Sequence, residues 1–428
     1  MIMAHIHSGL KTAALILKGR MPGQLVIQIT DRCNATCPQC GMRKTSTFDR
    51  TRLSNDQLKE IIDAAGEKGF QAISFTGGEP MLLRKDLPEL IRHAGKAGIP
   101  YIRTGSNGFF FADHQNPGFK DKVKAIADEL ADTPLRNFWI SLDSSLPHIH
   151  EQMRGFNGVV RGMEKALPFF HHAGIFPSVN LGLNRNVSQL TRNIASPTRK
   201  DLCAPEASPF YQAFAQGFAD FYRKVINMGF TIANACYPMS MADSEDKGDL
   251  NAVYAAASAD RVVCFTGTEK ALLFKALSDT IPRFRSQIRI FSPLAGLHTL
   301  HKVYSGEKTD TPYGCRGGID FFYVNCTDGN TYPCGYRGAD NLSAFPDLNI
   351  KAINPTGYCL ACDRECFRDP TELGGPLMEA FCAPWHLAAR MAKDPEYGAC
   401  WLKDLQYYKA CDFFNGRRPP RPTALEKF

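Results

Sequence analysis

The sequence predicts an α/β protein built on a parallel β-sheet, followed by a small domain organised by cysteines. Apolar strand-like segments alternate with amphipathic helical segments six times between residues 24 and 235. Repeated alternation of this kind produces a parallel sheet with right-handed crossovers. Residues 311–385 lose this periodicity and become rich in Gly, Pro and Cys, which indicates a domain held by metal rather than by an apolar core.

Each repeat is indicated by a local pattern. An apolar strand over 24–30 comes first, and Ser54 and Gln57 then form a capping box before a helix whose apolar positions recur at helical spacing. The later predicted strands are 70–76, 101–104, 138–142, 177–183 and 230–235, and the later predicted helices are 86–97, 120–130, 158–173 and 210–228. The carboxyl ends of such strands are where a site is expected.

The predicted organisation has five parts. They are a helical extension over 1–22, a core over 23–239, a helical linking region over 240–310, the cysteine-rich domain over 311–385 and a tail over 386–428. Within the core, 186–209 interrupts the rhythm as a surface insertion. The tail is expected to end in an extended basic, Pro-rich segment. A substrate pocket is expected between the strand ends and the linking region.

Composition narrows the class of protein. The chain has 428 residues, 44% of them hydrophobic, and a formal net charge of +7. The absence of a dense Lys/Arg tract argues against nucleic acid as a partner. The sequence also contains no apolar stretch of 18 residues or more, the length that a membrane-spanning helix needs. Fifteen cysteines without a visible secretory signal predict a reducing cytoplasm, where clustered cysteines are typical metal ligands.

Three cysteines follow the first strand directly, in the spacing C-x3-C-x2-C. Cys33, Cys37 and Cys40 are close enough to ligate three irons of one [4Fe–4S] cube. The missing fourth thiolate leaves one iron open, and an open position is what a catalytic metal needs. The alternative, a structural zinc site, usually takes four protein ligands.

This loop resembles the signature of the radical S-adenosylmethionine (SAM) superfamily. The resemblance implies a partial (β/α)6 barrel of TIM type, with SAM chelated to the open iron of the catalytic [4Fe–4S] cluster. It implies an enzyme that cleaves SAM reductively to a 5′-deoxyadenosyl radical, which abstracts a hydrogen atom from substrate. It further implies a reductant such as flavodoxin or ferredoxin.

Later motifs lie at successive strand ends, in the order that the resemblance implies. Gly77, Gly78 and Glu79 resemble the segment that meets the methionine ammonium, since glycine permits close approach and Glu79 offers an anion. Arg154 is expected to pair with the cofactor carboxylate. The other implied cofactor contacts are Ser106, Asn107, Ser141, Asp143 and Asn184.

The cysteine-rich region resembles the SPASM/Twitch extension of that superfamily, which carries one or two auxiliary [4Fe–4S] clusters. The candidate ligands are Cys315, Cys334, Cys359, Cys362, Cys366 and Cys382, with Cys326 as a seventh thiol. The spacing over 359–366 departs from the longer SPASM run. It therefore favours a single Twitch-like cube on Cys315, Cys334, Cys359 and Cys362, with a zinc ribbon as the alternative. The isolated cysteines, expected to be buried thiols, are Cys203, Cys236, Cys264, Cys400 and Cys411.

The function predicted from these features is radical chemistry on a peptide, a cofactor precursor or a lipid, with the auxiliary cluster assisting oxidation or bond formation. The lipid option draws on the 1–22 stretch and on tail aromatics such as Trp401, Tyr407 and Tyr408. It would bring peripheral contact with the inner membrane face. A non-enzymatic iron–sulfur carrier or scaffold is the alternative, although it would need neither Glu79 nor the open-iron spacing.

Overall fold

The computed structural model describes residues 15–238, 250–253, 258–307, 313–356 and 358–428. Most of the predicted 1–22 extension lies outside the described residues, and so does part of the 240–310 linking region. Within the described ranges, the helices lack the combination of length and apolar character needed to cross a membrane.

One open nine-stranded sheet forms the centre of the fold, in the order β7-β6-β5-β4-β3-β2-β1-β8-β9. Its neighbouring strands are parallel throughout, except that β8 and β9 pair antiparallel. The strands are β1 (Gln24–Thr30), β2 (Ala72–Gly77), β3 (Tyr101–Ser106), β4 (Leu135–Ser141), β5 (Ser178–Gly182), β6 (Ile232–Cys236), β7 (Arg289–Ile290), β8 (Phe321–Val324) and β9 (Thr331–Tyr332). The predicted α/β class with a partial barrel is confirmed.

Helices pack around this sheet. Their bounds are α1 (Asn55–Glu67), α2 (Leu87–Lys96), α3 (Phe119–Ala131), α4 (Pro147–Arg154), α5 (Val159–His172), α6 (Pro209–Met228), α7 (Gly267–Thr280), α8 (Leu294–Ser305), α9 (Glu365–Cys382), α10 (Pro384–Lys393), α11 (Pro395–Ala410) and α12 (Pro422–Leu425). The predicted capping box is confirmed: Gln57 N–H donates to Ser54 Oγ at 3.2 Å, and Ser54 N–H donates to Gln57 Oε1 at 3.0 Å.

The cysteine-rich region contributes to the main sheet as well as to its own loops. Strand β8 pairs with β1 in parallel register, with Gln24 opposite Phe321 and Ile27 opposite Val324. A four-residue apolar segment carries no periodicity that separates a strand from a buried loop. Its pairing partner is also almost three hundred residues away, so local pattern could not reveal it.

The C-terminal tail closes the amino-terminal end of the barrel. Asn137, in β4, donates to the carbonyl of Phe414 at 2.7 Å, and Arg417 donates to the carbonyl of Ala131 at 2.8 Å. Tyr407 and Phe414 are fully buried in a cluster with Ile232 of β6. The tail aromatics that favoured membrane contact therefore pack against the barrel.

Candidate functional site

The three-cysteine loop leaves the carboxyl end of β1 and is held in place from several sides. Cys37 is buried, whereas Cys33 and Cys40 are half-buried. Thr36 N–H donates to the carbonyl of Arg154, at the end of α4, at 3.0 Å. The Arg50 guanidinium ties the two ends of the loop together by donating to the carbonyls of Asp31, Met42, Arg43 and Ser46.

Burial and backbone hydrogen bonds act in opposite directions on the thiols of this loop. Burial raises the pKa of all three, to about 12 for Cys37 and about 11 for Cys40. Backbone N–H groups oppose this, since Ala35 donates to Cys33 and Met42 donates to Cys40. Hydrogen bonds to sulfur are a means by which proteins tune iron–sulfur ligands. A buried thiol with such donors fits a cation-bound thiolate better than a free one.

No three His, Cys, Asp or Glu side chains of the described residues converge on the position of a single metal ion. The ligands of a cube do not have to converge in that way, because each thiolate binds its own iron.

The Gly77-Gly78-Glu79 segment packs directly against the backbone before the cysteines. Gly78 N–H donates to the carbonyl of Thr30 at 2.7 Å, and Glu79 N–H donates to the carbonyl of Arg32 at 2.8 Å. A Cβ atom at Gly78 would lie 2.3 Å from the Arg32 carbonyl oxygen. Only glycine allows this approach, so the second strand end is fixed to the cysteine loop.

Glu79 and Asn107 connect the second and third strand ends. Glu79 is fully buried and its carboxylate accepts the N–H of Met81 at 2.9 Å and that of Asn107 at 2.6 Å. Burial raises the pKa of Glu79 to about 7. The Asn107 side chain donates to Asn34 Oδ1 at 3.0 Å, inside the cysteine loop. The structure thus brings Cys33, Glu79 and Asn107 together.

Arg154 has a protein partner at the fourth strand end, and its contact with the cofactor carboxylate stays a prediction. It forms a bidentate pair with Asp143, with Nε and Nη2 at 2.7 and 3.0 Å from the two carboxylate oxygens. Gln39 also donates to Asp143 at 2.9 Å, and His150 Nδ1 lies 3.6 Å away. Asp143 and Arg154 therefore anchor the cysteine loop to β4 and α4.

The remaining strand-end residues have mainly backbone partners. Asn184 is fully buried and donates to the carbonyls of Asp143 and Gly182 at 2.9 and 2.6 Å. Ser106 accepts the N–H of Gly108 at 3.0 Å, which shapes the turn after β3. Ser141 ends β4 in register with Asn180. Cofactor contacts by these three residues stay predictions.

Four cysteines of the C-terminal region form a second group. Cys315 and Cys359 are joined by paired backbone hydrogen bonds at 2.8 and 3.1 Å. Burial raises the pKa values of Cys315, Cys334 and Cys362, and neighbouring thiols of the group raise each of them further. These four sulfurs therefore interact with one another, as the single-cube prediction requires.

Each cysteine sulfur of this group accepts a hydrogen bond from the backbone N–H of the residue two positions later in the chain. The three recorded distances are 3.4 Å each, from Gly317 to Cys315, from Tyr336 to Cys334 and from Ala361 to Cys359. Arg364 N–H donates to Cys362 in the same way. The pattern repeats that of Cys33 and Cys40 in the first group.

The other candidate ligands differ in position. The Cys366 thiol lies 3.9 Å from Glu365 Oε1, and the thiols of Cys334 and Cys362 are near enough to raise its pKa. Cys382 ends the same helix α9, roughly 25 Å away along the helix axis. The Cys382 thiol lies 3.7 Å from the carbonyl of Ile16. Cys326 is buried beside Thr51, 3.4 Å from its hydroxyl. The structure separates Cys326 and Cys382 from the second group.

A cavity of about 280 Å³ occupies the inside of the barrel beneath the second group. Its wall includes Cys315, Cys334, Cys362 and Cys366, inward side chains of β1 to β6, and the first turns of α9. Of the described residues of the linking region, only Phe291 lines it. The expected contribution of 240–310 to a substrate pocket stays a prediction.

Sequence reasoning missed several residues of this region. Arg50, Arg103 and Cys236 have no motif around them, and Cys236 was expected to be an isolated buried thiol. Gln39 lies inside the three-cysteine motif but was given no role. In the structure, Cys236 lines the cavity and contacts Asn180 at 3.0 Å. The alternation of inward and outward side chains along a barrel strand was the signal that could have found Arg103 and Cys236.

The sequence model of the Radical SAM superfamily matches residues 27–184, which run from β1 to just past the end of β5. This segment holds Cys33, Cys37, Cys40 and Glu79. Residues 27–184 therefore match the radical SAM superfamily, and the predicted resemblance is confirmed.

Curated relatives share different lengths of this chain. A probable GTP 3′,8-cyclase of Sulfolobus acidocaldarius is 30% identical over 188 residues, which are 40% of this chain and 56% of the cyclase. The chain thus spans about half the length of that relative. An AdoMet-dependent heme synthase of Oleidesulfovibrio alaskensis is 25% identical over 350 residues, covering 80% of this chain and 78% of the synthase. These relatives are named as enzymes, in line with the predicted class.

A solved structure shares the fold over most of the chain. Streptococcus suis SuiB bound to the precursor peptide SuiA superposes with a TM-score of 0.50 at 15% identity, covering 81% of this chain and 68% of SuiB. At this identity the likeness concerns the fold alone.

Proposed function

We propose that the chain is a radical SAM enzyme with two [4Fe–4S] clusters. Cys33, Cys37 and Cys40 would hold the catalytic cluster with one open iron for SAM. Cys315, Cys334, Cys359 and Cys362 would hold one auxiliary cluster. When bound, the catalytic cluster and SAM supply reductive cleavage of the sulfonium and hydrogen-atom abstraction from substrate.

The backbone N–H groups aimed at the cysteine sulfurs carry this proposal. Six of the seven proposed ligands receive such a donor from the residue two positions ahead. A donor of this kind stabilises a thiolate and tunes a cluster. Among the described contacts, Cys366 and Cys382 have no such donor, which supports one auxiliary cluster rather than two.

The strand-end residues would position the cofactor and keep water out. The pairing of Arg154 with Asp143 places a buried cation beside Cys33 and Cys37, where it favours their charged forms. Glu79 would face the SAM ammonium from its buried position between β2 and β3. Asn107, joined to Asn34, would hold the ribose side of the site against the cysteine loop.

The proposed substrate is a cofactor precursor or a peptide. Relatives carry the names of a GTP cyclase and a heme synthase, and the fold neighbour SuiB is bound to a peptide. The buried tail aromatics remove one of the features that favoured a lipid and the inner membrane face. A flavodoxin or ferredoxin is the proposed electron donor.

The test is formation of 5′-deoxyadenosine. The protein is reconstituted anaerobically with iron and sulfide, and SAM and dithionite are added. We expect 5′-deoxyadenosine from the wild type and from Cys203→Ala, a variant of an exposed cysteine outside both groups, and none from Cys37→Ala. Cluster-loaded wild-type protein that forms no 5′-deoxyadenosine would instead support an iron–sulfur carrier or scaffold.

A further inference from the structure

The barrel cavity contains a cation that no acidic residue neutralises. Arg103 of β3 lines the cavity and is half-buried. Among the described residues, no carboxylate forms an ion pair with it and no carbonyl accepts from its guanidinium. Its recorded electrostatic neighbour is the Tyr101 ring hydroxyl. A partly desolvated guanidinium gains most from a bidentate oxyanion partner.

The acidic residues of the same cavity have partners other than Arg103. Glu365 and Asp369, at the start of α9, lie on its wall. Burial raises the pKa of both carboxyl groups, that of Asp369 well above its usual value. Glu365 accepts the Tyr237 N–H at 2.8 Å, and Asp369 accepts the Tyr237 hydroxyl at 3.2 Å. Both carboxyl groups are therefore engaged with Tyr237 and not with Arg103.

Asn234 of β6 also lines the cavity and carries a hydrogen-bond acceptor. Asn234 donates to Asn180 Oδ1 at 3.1 Å, which fixes the orientation of its amide. Asn234 Oδ1 is buried and has no partner within the described structure. A buried acceptor without a partner costs free energy, and a ligand that donates to it recovers that cost. The rings of Trp139 and Phe291, which meet edge to face, form an apolar wall between these polar groups.

We propose that this cavity binds a small substrate through an oxyanion, a carboxylate or a phosphate, held by Arg103, and through an N–H or O–H group donated to Asn234. The volume of about 280 Å³ admits a compact polar group or one side chain of a larger molecule. The claim that the bound molecule is a substrate rests on the proposed radical function. The claim that the cavity binds an oxyanion does not.

Anaerobic isothermal titration of the reconstituted protein tests this inference. The probes are succinate, inorganic phosphate and the uncharged succinamide. We expect saturable binding of succinate or phosphate and none of succinamide, and the stronger anion identifies the group. Arg103→Gln should weaken that binding by at least about tenfold, the usual effect of losing a charge-assisted hydrogen bond.

Two further variants keep the result interpretable. Arg103→Lys retains the charge but lacks the two-pronged guanidinium, so it should bind the anion with intermediate affinity. This variant tests the inference if Arg103→Gln fails to fold. Arg161→Gln removes an exposed arginine and should bind as the wild type does. Equal binding by wild type and Arg103→Gln, or no saturable binding of either anion by the wild type, would overturn the inference.

The 5′-deoxyadenosine assay judges the radical function separately. Anion binding without 5′-deoxyadenosine formation would contradict the proposed function and leave the cavity inference standing. 5′-Deoxyadenosine formation without anion binding would support the proposed function and overturn the cavity inference.

Discussion

Arg154 and Asp143 form a bidentate ion pair in which the guanidinium Nε and Nη2 lie 2.7 and 3.0 Å from the two carboxylate oxygens. Both side chains are largely removed from solvent. The pair joins the end of β4 to the end of α4, whose last carbonyl accepts the N–H of Thr36 in the cysteine loop. The loop that carries the proposed cluster ligands therefore depends on a charge pair outside it.

Replacing Asp143 should destabilise the fold strongly. Asp143→Asn leaves the Arg154 guanidinium buried without a counter-charge, and breaking a buried pair in this way costs about 3–5 kcal/mol. Urea unfolding of matched preparations measures the change. The control is Asp128→Asn, which removes an exposed pair with Lys124 and should change stability by less than about 0.5 kcal/mol. Similar losses in both variants would contradict the assigned role.

The same pair predicts a dependence of stability on pH. Burial acts to raise the pKa of Asp143, but Arg154 and His150 outweigh it and hold that pKa well below its usual range. Since the unfolded pKa is about 3.9, the contribution of the carboxylate is complete above about pH 5 and is lost as the pH falls below about 4. The stability difference between wild type and Asp143→Asn should therefore shrink in acid. A difference that stays constant from about pH 6 to 3 would contradict this.

Iron counting should distinguish the two cysteine groups. One catalytic and one auxiliary cube contain about eight irons per chain. Cys37→Ala and Cys334→Ala should each lower the content towards about four, because each variant removes a ligand from a different cluster. Twelve irons in the wild type would support a second auxiliary cube, and about four would contradict the auxiliary cluster.

Cys366 and Cys382 should not be needed for iron binding. Cys366→Ala and Cys382→Ala are expected to keep the iron content of the wild type, since the sulfur of Cys382 lies at the far end of α9 from the second group. The matched comparison is Cys362→Ala, which should lose the auxiliary cluster. Loss of iron in Cys366→Ala would place that thiol among the ligands.

A methyl group at Gly78 should disturb the cysteine loop. The new Cβ would lie 2.3 Å from the Arg32 carbonyl oxygen, so the backbone must shift, at a cost of about 1–3 kcal/mol. We expect Gly78→Ala to lower the thermal midpoint and the iron content together. In Gly118→Ala the nearest atom would be 3.4 Å away, so this control should behave as the wild type does.

The tail should contribute to stability through one of two adjacent phenylalanines. Phe414 is 1% exposed and packs on Phe291 and Tyr408, whereas Phe413 is 58% exposed. Phe414→Ala should cost about 3–5 kcal/mol and Phe413→Ala less than about 0.5 kcal/mol. Urea unfolding provides the measurement, and equal effects would contradict the packing of the tail on the barrel.

Much of the fold could be predicted because its signals are local. The alternation of strands and helices, the capping box at Ser54 and the spacing of Cys33, Cys37 and Cys40 are each contained in short stretches of chain. The glycines at the end of β2 indicated that another group approaches the backbone closely there. Such features follow from periodicity, capping and ligand spacing, which act between near neighbours.

Other features depend on contacts between distant parts of the chain. The pairing of β8 with β1 and the contact of Asn137 with Phe414 join residues almost three hundred positions apart. By itself, the sequence determined the strand-helix rhythm, the three-cysteine loop and the class of chemistry that the loop resembles. Tertiary structure alone decided that Arg154 faces Asp143, that Arg103 and Cys236 share one cavity, and that Cys382 lies apart from Cys362. The reason is that pairing of charges and enclosure of a cavity depend on how distant segments pack, which no local period encodes.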